Sequence, residues 1–182
     1  FERVGGSWGT AVSGETYRTE TVILDGTGST YVFGQAVGIS GNYAVVGDKN
    51  YAADGAVFLY ERVGGYWGTA VSGQTYRTQT AIIEPSDAAN SYGRFGFSVE
   101  IRGNYLIVGA TQRHNTSDDE GMVYIYERDS NGTWGNEKKF GADNATADDQ
   151  FGYSVAIDGY NTMVGTYTNR GAVYIFKSSK KS

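Results

Sequence analysis

Residues 95–110 read F-G-F-S-V-E-I-R-G-N-Y-L-I-V-G-A, and after a polar loop residues 121–128 read G-M-V-Y-I-Y-E-R. Phe95, Phe97, Val99 and Ile101 alternate with Ser98 and Glu100, the period of two that marks a strand with one apolar face. Gly103-Asn104 then supplies the positive φ that a primed two-residue hairpin turn needs. Tyr105–Gly109 is apolar on both faces, as a strand covered on both sides would be. Gly121–Tyr126 forms a third strand of the same kind. Two further versions of this stretch occur, at Phe33–Arg62 and Phe151–Lys177, with turns expected at Gly41-Asn42 and Asp158-Gly159.

A second repeat interleaves with the first. Phe1–Thr21 recurs at Tyr60–Thr80, differing only at Phe1, Ser7, Glu15 and Glu20. It carries a Trp-Gly pair, found at Trp8, Trp67 and Trp134, which leads a fourth segment; the strands expected after it are Thr78–Glu84 and Asn136–Phe140. The tryptophans read as packing anchors of outer strands. The Phe-Gly pairs at Phe33, Phe95 and Phe151 set a period of about 60 residues made only of strands and turns, which indicates propeller blades rather than a helical solenoid.

Composition agrees with an all-β fold. The chain has 182 residues, 40% hydrophobic and 19% charged, with 27 Gly, 15 Tyr, one Pro and no Cys. That is enough chain for a real core, and abundant Gly beside Tyr, Val and Ile suits many short strands joined by tight turns. A net charge of −5 argues against nucleic acid as a partner, because phosphate binding needs a basic surface. Lys177, Lys180 and Lys181 form a short basic tail that reads as solvated. Without cysteine the redox compartment is undetermined, and no apolar run approaches the ~20 residues of a membrane helix. The chain opens on Phe1 rather than Met and reads as a trimmed product, so a missing targeting signal carries no weight.

The order Phe-Gly, hairpin, Val-Gly-Ala, then Gly-Ala-Val-Tyr-Ile-Tyr resembles FG-GAP repeats, the blades of integrin-alpha-like β-propellers. Phe95-Gly96 with Val108-Gly109-Ala110 is the closest match, while Val46-Gly47-Asp48 and Val164-Gly165-Thr166 depart at the last small residue. The resemblance implies blades of four antiparallel strands, three blades' worth in this chain, from a family common in secreted and surface proteins. It extends over residues 33–94 as a first blade, 95–150 as a second, and 151–182 as the inner strands of a third with the basic tail. Residues 1–32 would then supply the fourth strand that closes the last blade or a neighbour's. Three blades fall below the usual four to eight. The chain is therefore expected to be part of a longer propeller, or to associate with other copies of itself.

Calcium-binding members of that family carry D-x-D-x-D-G in the hairpin between the first two strands. Here the hairpins are Ser40-Gly41-Asn42, Arg102-Gly103-Asn104 and Asp158-Gly159-Tyr160, too poor in oxygen ligands for calcium, so those sites do not carry over and no cofactor is expected. The loops after Val-Gly, at residues 48–54, 111–120 and 166–170, are the variable ones, and loops on a rigid scaffold carry binding. Asp48, Asn50 and Asp54, and Asp118, Asp119 and Glu120, offer oxygen ligands as weak calcium or other cation candidates, with solvated acidic loops as the plainer reading. Asp143, Asp148 and Asp149 invite the same comment. His114, the single histidine, lacks a positioned nucleophile and an orienting partner, and G-G-S-W-G is no phosphate loop, so no enzyme is expected.

Asn115, Asn131 and Asn144 each head an N-glycosylation sequon, consistent with an extracellular or cell-surface protein. Tyr124, Tyr126 and Tyr174 read as core; Tyr17, Tyr31, Tyr51, Tyr66, Tyr76, Tyr92 and Tyr167 are freer to contact a protein or glycan. The function expected first is a non-enzymatic extracellular binding or adhesion module. The alternative is a structural subunit assembling through shared blades into a ring or filament. An accessory propeller of a secreted enzyme ranks third.

Overall fold

The computed structural model of the protein describes residues 3–4, 7–8, 10–11, 18–19, 22–26, 32–74, 76–88, 92–113, 120–144, 146–167 and 171–177. Among them the fold is all β, without a helix, so none is long and apolar enough to cross a membrane. Three antiparallel sheets follow one another along the chain; consecutive strands pair in each, except that the last strand of the first sheet joins it after the intervening strands Tyr66–Trp67, Thr69–Ala70 and Tyr76–Thr78.

The first sheet contains Ala36–Ser40, Tyr43–Asp48, Ala56–Val63 and Ala81–Ile83. The second contains Phe95–Arg102, Tyr105–Ala110, Met122–Arg128 and Trp134–Phe140. The third contains Ser154–Asp158, Asn161–Gly165 and Val173–Lys177. These are the blades of the sequence reading. The second strands of the first two blades are buried on both faces apart from the leading tyrosines, as their unbroken apolar runs require.

The hairpins fall where glycine can turn the chain. Gly41, Gly103 and Gly159 lead their turns at φ 57, 59 and 59. Since Asp158 pairs with Asn161, the third turn is Gly159-Tyr160 and not Asp158-Gly159. Aligning the three glycines, rather than reading Asp-Gly as a turn dipeptide, would have placed it. At the head of the second blade the ladder slips between Phe95 and Ser98, a bulge at Gly96 (φ 87). The slip sends Phe97 to the half-buried rim instead of the apolar face that Val99 and Ile101 occupy.

The fourth strands depart further from expectation. Trp134 itself belongs to its strand, which runs Trp134–Phe140. The expected Thr78–Glu84 strand is divided. Ala81–Ile83 completes the first blade, whereas Tyr76–Thr78 pairs with Thr69–Ala70 and, in parallel, with Ile23–Asp25. Residues 1–32 therefore hold no described strand on the third blade, and that sheet ends at Val173–Lys177 among the described residues. Burial pushes the Tyr60 hydroxyl's pKa up, with Asp25 adding to the effect, and the hydroxyl donates to the Asp25 carbonyl at 2.9 Å, tying this segment to the first blade. The described strands of the two Trp-Gly repeats pair alike: Arg3 pairs Trp8 as Arg62 pairs Trp67, and Thr10 pairs Thr19 as Thr69 pairs Thr78.

Neighbouring blades share their cores. Val45, Val57 and Leu59 of the first pack with Val99, Ile101 and Leu106 of the second. Ile107 and Val123 of the second pack with Phe151, Ile157 and Val164 of the third. Trp134 stands edge-on to Tyr43 of the preceding blade, with ring centroids 5.6 Å apart, so this tryptophan seals a junction between blades.

Candidate functional site

At the end of the blades opposite the Gly-led hairpins, the Phe-Gly pairs of the second and third blades meet the loops that follow Val-Gly, Phe95 N–H donating to the Asp54 carbonyl and Phe151 N–H to the Glu120 carbonyl. Asp48 is buried and accepts the Asn50 N–H at 3.0 Å, and Gly55 donates back to the Tyr51 carbonyl at 2.7 Å. This turn carries Ala52 and Ala53 at positive φ, 48 and 72. Asp54 is buried too, 3.4 Å from the Arg113 guanidinium of the next blade's loop. Arg113 also donates to the Asp87 carbonyl at 3.4 Å. Asp48 thus closes its own loop, and Asp54 holds that loop to the next. Asn50 is exposed and Glu120 buried. Among the described residues, no three His, Cys, Asp or Glu side chains come together in a way that could hold a metal. His114, Asn115, Asp118 and Asp119 lie outside the described residues.

The same end carries a row of aromatic rings that the sequence reading did not assemble. Phe97 and Tyr153 each follow a Phe-Gly pair whose glycine has positive φ, 87 and 91, and both come to the rim of adjacent blades. Their centroids are 4.9 Å apart, and Tyr153 in turn stacks on Tyr167 at 4.6 Å and 17°. At the other end of the row, Lys49 Nζ stands 5.1 Å from the Phe97 centroid. Partial burial, and then the charge of Arg94, lower the Lys49 pKa. The row is exposed toward its end: Tyr167 is 63% accessible and Tyr153 37%. Only the position after Phe-Gly could have signalled this, and it holds Gln35 in the first copy.

The other candidate tyrosines are placed differently. Tyr51 packs edge-on to Phe58 and supports the first core, whereas Tyr66 and Tyr92 are largely exposed. Tyr76 is half-buried, and Tyr17 and Tyr31 lie outside the described residues. Asn131 sits in an exposed turn closed by Asp129, whose carboxylate accepts the N–H groups of Asn131 and Thr133, both at 2.9 Å. Asn144 is exposed and accepts the Tyr174 hydroxyl at 3.2 Å.

The FG-GAP repeat family model matches residues 77–126 and 134–176, together just over half of the chain. No curated protein matches the sequence. Among solved structures, the crystal structure of the computationally designed Ika4 protein is similar at 12% identity, over 88% of this chain and 100% of that one, with a TM-score of 0.34. Nothing further rests on a likeness of that size. With Phe-Gly pairs at positive φ, glycine-led hairpins and shared blade cores in the matched order, this chain belongs to the FG-GAP repeat family.

Proposed function

We propose that this chain is a non-enzymatic binding module of the cell surface or extracellular space, which holds a protein ligand along the Lys49–Phe97–Tyr153–Tyr167 row. The supporting observation is the row itself, an exposed aromatic strip at the loop end of a rigid blade scaffold. Tyrosine supplies large contact area at low entropic cost together with a hydroxyl for hydrogen bonding. Tyr153 and Tyr167 already cover one face of each other, so they offer edges and hydroxyls more than open ring faces. That favours a protein surface over a sugar ring, and Lys49 with Arg94 suits a ligand carrying carboxylates. The exposed Asn131 and Asn144, each heading a sequon, and the family's frequent use outside cells support the location.

The test is binding of the chain to arrays of extracellular proteins and of glycans. Saturable binding to a protein is expected, weakened at least tenfold by joint Tyr153→Ala and Tyr167→Ala, since aromatic anchors at an interface cost about 2 kcal/mol or more on truncation. Turnover of a substrate by this chain alone, glycan binding only, or binding indifferent to the double substitution would reject the reading.

A further inference from the structure

Each junction between blades has two halves. One is the front of the later blade: the Phe-Gly backbone and the Val and Ile that follow it. The other is the rear of the earlier blade: the glycine ending its second strand, the glycine preceding its third, and the apolar side chains of those strands. At the first junction Val99 and Ile101 are 9% and 2% exposed. Gly47 and Gly55 leave no room for a Cβ, because the carbonyls of Gly96 and Phe95 fill that space. At the second, the carbonyls of Gly152 and Phe151 lie on Gly109 and Gly121 in the same way, and Ser98 Oγ donates to the Gly152 carbonyl at 2.7 Å.

Two matching halves are exposed among the described residues. On the front of the first blade Val37 and Ile39, the counterparts of Val99 and Ile101, are 68% and 69% exposed, and a Cβ on Gly34 would meet nothing within 4 Å. On the rear of the third blade Val173 and Ile175, the counterparts of Val123 and Ile125, are 65% and 70% exposed. There the nearest backbone atom to a Cβ on Gly165 is the Ala172 oxygen at 3.9 Å. Ser154 Oγ lies against Gly165 as Ser98 Oγ lies against Gly109, the position from which Ser98 reaches the incoming carbonyl. Asp158 ends its strand where Ser40 does, and Ser40 Oγ accepts the Gly103 N–H of the following blade at 3.0 Å.

We propose that the front of the first blade docks on the rear of the third blade of a second copy of this chain, in the geometry that already occurs twice within it. A copy is the fitting occupant because it brings what the rear lacks: a Phe-Gly backbone to fill the Gly165 space and accept from Ser154, followed by a Val and an Ile at strand spacing. A front-to-front contact offers no glycine space to receive that carbonyl, and a rear-to-rear contact supplies no such carbonyl. Two copies docked both ways make six blades, within the four to eight of closed propellers, and a head-to-tail interface that closes gives a discrete ring.

Sedimentation velocity across a concentration series tests this on the wild type, a front variant (Val37→Glu with Ile39→Glu), a rear variant (Val173→Glu with Ile175→Glu) and an equimolar mixture of the two. All four positions are exposed, so the variants should keep their circular dichroism spectra. Gly165→Ala serves as the rear variant if the double substitution unfolds. The wild type is expected to pass from 19.6 kDa to twice that mass, and each variant alone to remain at 19.6 kDa. The mixture should regain a two-chain species at higher concentration, because one intact front still meets one intact rear. A wild type that stays at 19.6 kDa, a variant that self-associates alone, or a mixture without recovery overturns the proposal.

Discussion

At the residue scale, close backbone approach explains the glycines of Val-Gly better than turn chemistry does. Gly109 has the Gly152 carbonyl where a Cβ would sit, and a carbonyl fixed in a neighbouring blade cannot rotate aside. Gly109→Ala is therefore expected to destabilise by about 1–3 kcal/mol, the usual cost of overpacking. Gly165→Ala meets only the rotatable Ser154 hydroxyl at short range and should change the isolated chain by less than about 0.5 kcal/mol. Urea unfolding of both variants at a concentration where the chain is monomeric decides the comparison; equal losses would contradict it. The motif was legible as Val-Gly in the sequence. The reason for it was not, because the atom that excludes a side chain belongs to residue 152.

At the element scale, the connections between blades are held by charges that no motif announced. Asp54 and Arg113 form an ion pair with both side chains nearly inaccessible. Asp54→Ala leaves a buried guanidinium without that carboxylate, and a cost of about 3–5 kcal/mol is expected in the unfolding free energy. Asp87, in the turn after the first blade, receives hydrogen bonds from Lys139 at 2.6 Å and from the Tyr124 hydroxyl at 3.0 Å. Burial alone would raise its carboxyl pKa. The bonds from Lys139 and Tyr124, with the charges of Arg113 and Lys139, outweigh burial and hold it below the ordinary 3.8. Its stabilising contribution is thus full above 3.8 and is lost as pH falls through that value toward the folded one. The gap in melting temperature between wild type and Asp87→Asn should narrow on acidification across this window. A constant gap would argue against the linkage.

At the scale of the whole molecule, stability is shared between neighbours, as in other repeat proteins. Ile107 and Val123 are fully buried only because the third blade covers them. A chain ending at residue 150 would return each to water, at about 1.5–3 kcal/mol per side chain. Such a truncated chain is expected to melt at lower temperature and to bind a hydrophobic dye that the intact chain binds less. An unchanged melting curve would mean that the blades are energetically independent.

The sequence by itself determined the number of blades in the chain, their three inner strands and the glycines at their hairpins, but neither the limits of the fourth strands nor the frame of the third turn. The inner strands and hairpin glycines follow from local patterns: period-two alternation, apolar runs and turn residues, each satisfied within about ten residues of chain. Only the tertiary structure decided that Asp48 and Asp54 serve the scaffold, that Phe97, Tyr153 and Tyr167 form one row, and that the first blade's front and the third blade's rear lie open. Those outcomes depend on groups that are neighbours across blades and distant along the chain. A Val in a strand looks the same in sequence whether or not another blade covers it, which is why Val99 and Val37 read alike and end as differently as 9% and 68% exposed.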